Sequence, residues 1–373
     1  MRSAFILLIA QSQGTDMFKK EMSKEELTQL AVAYLKEQGA CEVGVVTKET
    51  LAGGPPSTNL EYVLADAASA LSFAVPLDEE KISSFLGKKD HAGHQEDNIH
   101  TGFFITGLAV GLASYLDQIG YPSYGVDSNI VYRKDTPRGS RDFKPDISHR
   151  YLAARSGVGW LGFSGNIITP SHGASVLLGS VVTTAELEPT DPLPEDKKYC
   201  DECRLCYAAC TSHLMDKEEQ STVTMGGIEF SYQKRRSYHR CDLVCGGFTG
   251  LSEKGKWSTW SPGRFPIPDD DIEFRGALME ATQAWLKRPA IEDGGFRHPQ
   301  SPGGRKLNFT CGNCQLVCHP DKNERNRRFK LLSGGGVVIQ HADGNIEAVK
   351  PDKAREHLDA LDDEQRALYE RIC

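Results

Sequence analysis

The segment from Cys200 to Cys210, which reads CDECRLCYAAC, most constrains what this chain can fold into. Its C-x2-C-x2-C-x3-C spacing is typical of iron–sulfur sites in which three thiolates bind one 4Fe–4S cluster and the fourth is directed to another. A second, partial motif, CGNCQLVC, covers residues 311–318. Two clusters need eight thiolates and the two motifs supply seven. We therefore expect the eighth thiolate from Cys241 or Cys245.

Disulfides and zinc are the alternative uses for these cysteines. A chain of 373 residues lacks the small secreted format that disulfide frameworks serve. Zinc sites are usually built from separate C-x2-C pairs, and a C-x2-C-x2-C run is hard to place around one zinc ion. The spacing therefore predicts two 4Fe–4S clusters, which together form a path for single electrons. Flavin, corrinoid or a docked partner protein could each be the acceptor.

The charge balance argues against a broad nucleic-acid footprint. The net charge is −8 and the sequence pI is about 5.8. Two basic runs, residues 234–240 and 325–330, lie beside the cysteine motifs in sequence. We interpret them as offsetting the negative charge of thiolate-ligated clusters or as solvated faces. Nucleic acid is thus predicted to be an unlikely partner.

Residues 1–22 are predicted to be an N-terminal extension. The apolar run at residues 4–10 is too short to span a bilayer, so no membrane span is expected. The run could be a truncated signal-like segment, or Met17 could be the native start. Free thiolates suit a reducing compartment, so the sequence predicts a cytoplasmic protein.

The order of elements predicts a fold of the α/β (α+β) class. Residues 23–190 have the alternating helix and strand patterns of an α/β domain, and a proline- and acid-rich linker follows. Residues 191–330 are expected to form a cluster domain that is mostly loop, because the metal replaces a core. Residues 331–373 are predicted to form a C-terminal hairpin and helices.

Three segments leave a choice between a site and ordinary packing. Residues 88–100 are polar and contain three histidines, but they match no common metal-site spacing, so we expect a solvated loop before an apolar helix at residues 101–119. Residues 121–149 place many polar side chains on irregular backbone, which often marks a site. Trp257 and Trp260 could line a ligand pocket or simply pack a loop.

The motifs, taken in order, resemble those of the epoxyqueuosine reductase and reductive dehalogenase superfamily. A Gly-Val-Gly-Trp-Leu-Gly segment is followed by a Gly-Asn-x-x-x-x-Pro-x-x-Gly turn, the four-cysteine run, an isolated cysteine and Cys-Gly-x-Cys-Gln-x-Val-Cys. The similarity covers roughly residues 60–330. The combination with residues 153–173 is far more specific than the cysteine motifs alone.

The resemblance implies a nitroreductase-like cobalamin-binding domain followed by a two-cluster ferredoxin-like domain, with base-off cobalamin receiving electrons from the clusters. Carried over, one cluster would be held by Cys200, Cys203, Cys206 and Cys318, and the other by Cys210, Cys241, Cys311 and Cys314. Arg240-Cys241 matches the isolated cysteine of the family, and Cys245 is the spare. Backbone and small side chains between residues 157 and 173 would contact the corrinoid; the selected residues are Gly159, Ser164, Gly165, Asn166 and Gly173.

The chain also departs from the family pattern. Phe163 stands where epoxyqueuosine reductases have Lys, and Thr211 stands where ferredoxins usually have Pro. The family uses an Asp or a Tyr as proton donor, and no motif fixes it here; the candidates are Tyr124, Tyr132, Asp142 and Asp146. The tRNA-binding helical repeats of epoxyqueuosine reductases have no match after Lys330.

These observations predict a corrinoid-dependent iron–sulfur oxidoreductase that reductively cleaves a carbon–halogen or carbon–oxygen bond of a small organic substrate. Its electrons would come from an external low-potential donor of the ferredoxin or flavodoxin type. Two alternatives remain open. One is an epoxyqueuosine reductase acting on tRNA, and the other is a non-enzymatic electron carrier or activator of a corrinoid protein.

Overall fold

The computed structural model describes residues 22–127, 131–136, 139, 143–291, 295–296 and 301–372. All of the predicted N-terminal extension except Met22, and the candidate Asp142, lie outside the described residues. The helices are α1 (Lys24–Glu37), α2 (Glu79–Leu86), α3 (Ala92–Gln118), α4 (His149–Arg155), α5 (Leu205–Ala208), α6 (Tyr238–Cys245), α7 (Asp271–Lys287), α8 (Asn313–Leu316), α9 (Lys322–Gly334), α10 (Pro351–Asp359) and α11 (Asp363–Arg366). The strands are β1 (Glu42–Thr47), β2 (Ser69–Pro76), β3 (Ser123–Val126), β4 (Trp160–Leu161), β5 (Ile167–Ile168), β6 (Val176–Thr183), β7 (Met215–Met225), β8 (Ile228–Arg235), β9 (Val337–Gln340) and β10 (Ile346–Val349).

A four-stranded antiparallel sheet with the order β1-β2-β6-β3 forms the centre of the N-terminal half. Its central strand β2 is buried along its whole length except at Pro76, as a continuous apolar run requires. Helix α3 packs Ile105, Leu108 and Leu112 onto this sheet with the spacing of one helix face. The mixed α/β class predicted from the sequence is confirmed, and the sheets are small.

Helix α3 begins at Ala92, so most of the predicted solvated loop is helical. His91 and His94 are 8% and 3% exposed, and the prediction that they are solvated is wrong. Both rings pack near Phe85, and Nε2 of His91 lies 2.6 Å from the carbonyl oxygen of Phe309. The partners that bury these histidines come from distant parts of the chain.

By length and composition alone, α3 is apolar enough to cross a membrane, and one third of its most apolar window is buried in the fold. Core helices pass the same test, so this is weak evidence for a span.

The region between the cysteine motifs contains more regular structure than predicted. Strands β7 and β8 form a long antiparallel hairpin, and α7 adds 17 helical residues. The hairpin packs Phe230 and Tyr232 against the apolar cores of the N-terminal half. Helix α7 packs Phe274 and Trp285 into a separate core. Apolar burial, and not metal alone, therefore stabilises this region.

A third core connects the two halves of the chain. Phe85 and Ile82 of α2 pack with Trp257, Trp260 and Leu332. The paired tryptophans are thus buried packing residues. Helix α9 runs through residue 330, where we predicted a domain boundary, and the boundaries at 190 and 330 stay predictions.

Candidate double-cluster site

The structure brings Cys200, Cys203, Cys206 and Cys318 together around one cavity, which all four residues line. Burial raises the pKa of the Cys318 thiol, and the neighbouring Cys206, Cys200 and Cys203 raise it further. Burial also raises the pKa of Cys206 to about 12. Cys318 comes from the second motif, so these four residues come from both motifs. We call these four residues the first set.

A second group of cysteines contains Cys210, Cys241, Cys245, Cys311 and Cys314, which we call the second set. Burial raises the pKa of Cys314, with additional contributions from Cys210, Cys241 and Cys311. The Sγ atoms of Cys241 and Cys245 are 3.5 Å apart on one face of α6. The sequence motifs are therefore interleaved in space, with one residue of each exchanged between the sets.

The chemistry of both sets fits iron–sulfur clusters. A buried thiol with a raised pKa is neutral unless a cation holds it as the thiolate. Among the described residues, no three His, Cys, Asp or Glu side chains converge on a point as they would around a single metal ion. A four-iron cube takes one thiolate at each iron, so its ligands stand around it and do not converge.

Residues of the glycine-rich segment contact these cysteines. The N–H of Phe163 donates to Sγ of Cys200 at 3.3 Å, and the side-chain amide of Asn166 lies 4.0 Å from Sγ of Cys314. Ser164 is 4% exposed, and its hydroxyl hydrogen-bonds to the Cys206 thiol. Hydrogen bonds to ligating sulfur stabilise the reduced cluster. The glycine-rich segment therefore supplies hydrogen-bond donors to the cysteine sulfur atoms of both sets.

The predicted corrinoid-contacting glycines are enclosed by protein atoms. A Cβ on Gly165 would meet Cδ2 of Tyr232 at 2.8 Å, and a Cβ on Gly159 would meet Cγ2 of Ile167 at 2.5 Å. A Cβ on Gly173 would strike the backbone of the residues at 318 and 319. The surroundings of these glycines do not support a direct contact with a corrinoid. That assignment stays a prediction.

Replacing Gly173 with Ala should destabilise the protein by about 1–3 kcal/mol, because the added Cβ would lie 2.7 Å from Cα of His319 and the residue has a φ of +61°. Gly227→Ala is the matched control, since Gly227 has a φ of +79° and nothing within 4 Å of an added Cβ. Urea unfolding of both variants separates the clash from the backbone strain. Equal losses in the two variants would show that the contact with the second motif is unimportant.

A buried group that the sequence did not predict lies beside the second set. Arg235 donates to the phenolic oxygen of Tyr238 at 2.8 Å, and Arg150 donates to the same oxygen at 3.3 Å. Arg235 also donates to Oδ1 of Asn166 at 2.8 Å, which connects the group to Cys314. Burial would raise the pKa of Tyr238, but the two guanidinium groups outweigh it and the pKa is lowered. The basic run at 234–240 was the one available sequence signal.

The candidate proton donors fall into two separate places. Tyr124 lies near Asp146, and burial raises the pKa of both residues. Tyr132 instead packs edge-on against Phe143, which also contacts Tyr238. Only Tyr132 among the described candidates therefore lies beside the group next to the second set.

Sequence comparisons identify relatives of one kind. Over 58 residues the chain is 43% identical to the epoxyqueuosine reductase of Synechococcus sp. (strain RCC307), a match that covers 16% of this chain and 17% of that relative. Over 132 residues it is 29% identical to the epoxyqueuosine reductase of Synechocystis sp. (strain ATCC 27184 / PCC 6803 / Kazusa), covering 29% and 45%. The matches thus span less than half of these relatives. No protein-family model matches the chain.

Solved structures of two kinds, epoxyqueuosine reductases and reductive dehalogenases, are similar at low identity. A reductive dehalogenase structure described with B12-dependent dehalogenation gives a TM-score of 0.49 at 13% identity, covering 93% of this chain and 52% of that one. An epoxyqueuosine reductase crystallised with an epoxyqueuosine-modified tRNA-Tyr stem loop gives 0.41 at 16% identity, covering 91% and 74%. Scores at this level carry no argument about the fold. The sequence matches confirm the resemblance to epoxyqueuosine reductases.

Proposed function

We propose that this protein is an iron–sulfur reductase of the epoxyqueuosine reductase type, which passes electrons through two 4Fe–4S clusters to cleave a carbon–oxygen bond of an epoxide. The observation that carries the proposal is the division of the cysteines into two interleaved sets, together with the sequence matches to epoxyqueuosine reductases. The four residues of the first set would bind one cluster. The other cluster would be bound by four residues of the second set: Cys210, Cys241, Cys311 and Cys314. Residues 23–190 would be a nitroreductase-like cobalamin-binding domain, and residues 191–330 a ferredoxin-like domain.

Electrons would enter at the first set and leave from the second. Cys203 is exposed, whereas Cys206 of the same set is buried, so an external donor can approach this cluster closely through Cys203. The second set lies beside Tyr238 and the two arginines, where charged groups could act on a substrate. When bound, cobalamin would supply a low-valent, nucleophilic cobalt centre.

Tyr238 is the best-placed proton donor. Both guanidinium groups donate to its phenolic oxygen, which leaves its own O–H hydrogen free to be given to a substrate. The same two charges stabilise the phenolate that remains, so proton transfer costs less than from an ordinary tyrosine.

Tyr238→Phe should lower kcat by roughly 10²–10⁴-fold while leaving the iron content unchanged, because it removes a general acid and no cluster ligand. Anaerobic turnover with reduced flavodoxin or dithionite, together with an iron assay, checks both expectations. Tyr124→Phe is the matched control, since Tyr124 lies in the other group. A large loss of turnover in Tyr124→Phe with normal turnover in Tyr238→Phe would instead assign the proton donor to the site of Tyr124 and Asp146.

The identity of the substrate distinguishes an epoxyqueuosine reductase that acts on tRNA from a reductase of small organic molecules. The prediction that nucleic acid is an unlikely partner conflicts with the comparisons, because the sequence relatives are epoxyqueuosine reductases and a protein of that name was crystallised with a tRNA stem loop. We therefore propose an epoxyqueuosine-modified tRNA stem loop as the first substrate. The net charge of −8 favours the second candidate, reductive cleavage of a small organic molecule.

The test starts with anaerobic reconstitution of iron and sulfide, addition of cobalamin, desalting, and counting of iron and cobalt. About eight irons and one cobalt per chain would support a corrinoid reductase. Epoxyqueuosine stem loop, the free epoxyqueuosine nucleoside and a halogenated phenol are then offered separately. Conversion of the stem loop alone supports the tRNA substrate, and conversion of the phenol alone supports the small-molecule reductase. About eight irons with no retained cobalt would favour an electron carrier.

A further inference from the structure

Lys88 presents a buried positive charge that no carboxylate of the described residues neutralises. It follows α2 with a φ of +56°, a conformation that side chains other than glycine rarely adopt. Its Nζ is buried and, within the residues that the structure describes, has no hydrogen-bond partner. The stem packs on Gly335, where an added Cβ would meet Cγ of Lys88 at 2.9 Å. The fold therefore holds this ammonium group in place against both strain and desolvation.

The surroundings of the ammonium group direct it to the second set. Nζ lies 5.9 Å from the ring centre of Phe85 and 5.5 Å from that of Trp260, whose faces attract a cation only modestly. Burial lowers the pKa of Lys88 to about 8, and the thiol of Cys311 acts in the opposite direction. Trp260 in turn lies beside the second set, because its backbone N–H donates to the carbonyl oxygen of Thr310 at 2.8 Å and Thr310 directly precedes Cys311.

A cluster with four thiolates carries net negative charge, and that charge grows by one on reduction. A fixed cation nearby therefore stabilises the reduced form more than the oxidised form and raises the reduction potential. Arg235 contributes in the same direction, because it polarises the Asn166 amide that faces Cys314.

Around the first set, the cations among the described residues are either paired or exposed to solvent. The nearby Arg325 forms an ion pair with Asp201. Arg204 stacks over the Phe163 ring at 5.4 Å, and the exposed Cys203 leaves this set open to water, which screens charge. The two sets therefore differ in buried positive charge.

We propose that the Lys88 ammonium raises the reduction potential of the second cluster above that of the first, so that an electron entering the chain resides mainly on the second cluster. This inference rests on the proposed function only in requiring that both sets hold clusters. Lys88 would act as a positioning charge, in contact with neither substrate nor cofactor, and would set the direction of electron flow.

The experiment is an EPR-monitored redox titration of the reconstituted full chain, with wild type, Lys88→Met and Lys88→Arg compared. A Cys318→Ser background, expected to retain only the second cluster, assigns the signal. At the wild-type midpoint, Lys88→Met should change the reduced-to-oxidised ratio of the second cluster at least tenfold toward the oxidised form, which corresponds to about 59 mV for one electron. Lys88→Arg should restore the wild-type ratio.

Lys89→Met removes a neighbouring exposed charge and should leave both potentials unchanged. Normal iron content with an unshifted second potential in Lys88→Met would overturn the inference while leaving the clusters established. If Lys88→Met loses iron, Lys88→Gln is titrated in its place. Loss of iron from both neutral variants would assign Lys88 to cluster retention and also overturn it. Absence of clusters in the wild type would instead refute the proposed function.

Discussion

Cys318→Ser should remove the cluster held mainly by the first cysteine motif, although Cys318 belongs to the second. Its thiol lies with Cys206, Cys200 and Cys203 in the structure, so the substitution leaves the first set with three ligands. The reconstituted variant should contain about four irons in place of about eight and lose all electron transfer from an external donor. Iron analysis and the visible spectrum of the anaerobic protein measure the loss.

Cys210→Ser is the reciprocal variant. Cys210 is in the first motif, but the pKa of its thiol, raised mainly by burial, is also raised by Cys241 and Cys311 of the second set. It should therefore also lose about four irons, this time from the second cluster. The double variant Cys210→Ser/Cys318→Ser should lose both clusters. A double variant that kept about four irons would mean that the motifs are not interleaved.

The redirection of Cys210 to the other set could be predicted from the short spacing of the first motif, whereas the placement of Cys318 was implied by the family resemblance. In a C-x2-C-x2-C-x3-C run three thiolates bind one cluster, and the fourth cysteine, which here follows the end of α5, is directed to another. Helix α1 likewise begins at a local signal, because a capping box needs only four residues and both hydrogen bonds of the box at Ser23 are present.

What could not be predicted depends on residues far apart in the chain. The burial of His91 requires Trp260 and Phe309, which are more than 160 residues away in sequence. Arg150 and Tyr238, 88 residues apart, meet only because the β7–β8 hairpin folds back on the N-terminal half. Spacing carries no information about such contacts, so the candidate proton donors were chosen by residue type.

The basic runs illustrate how one charge pattern can serve several purposes. Arg240 is fully buried, stacks on Phe274 and pairs with Asp271, so it stabilises the packing of α7. Arg235, five residues earlier, contacts the group beside the second set. The sequence showed that these cations lie beside the cysteine motifs. Only the fold showed which partner each cation contacts.

The eighth ligand is predicted to come from one helical turn of α6. Cys241 and Cys245 are four residues apart on α6, and both thiols are near Cys311 or Cys314. Cys241 contributes to the raised pKa of both Cys210 and Cys314, whereas Cys245 interacts with Cys241 and Cys311. Because Cys241 acts on two other members of the second set, Cys210 and Cys314, it stays our predicted ligand.

Cys241→Ser should accordingly lose about four irons and the electron transfer that depends on the second cluster, while Cys245→Ser should keep nearly all of its iron. Because the two Sγ atoms are only 3.5 Å apart, Cys245 could replace Cys241 in the single variant. The variant Cys241→Ser/Cys245→Ser removes this rescue and must lose the second cluster if either residue is the ligand. Two single variants and a double variant that all keep about eight irons would show that the eighth thiolate comes from outside α6.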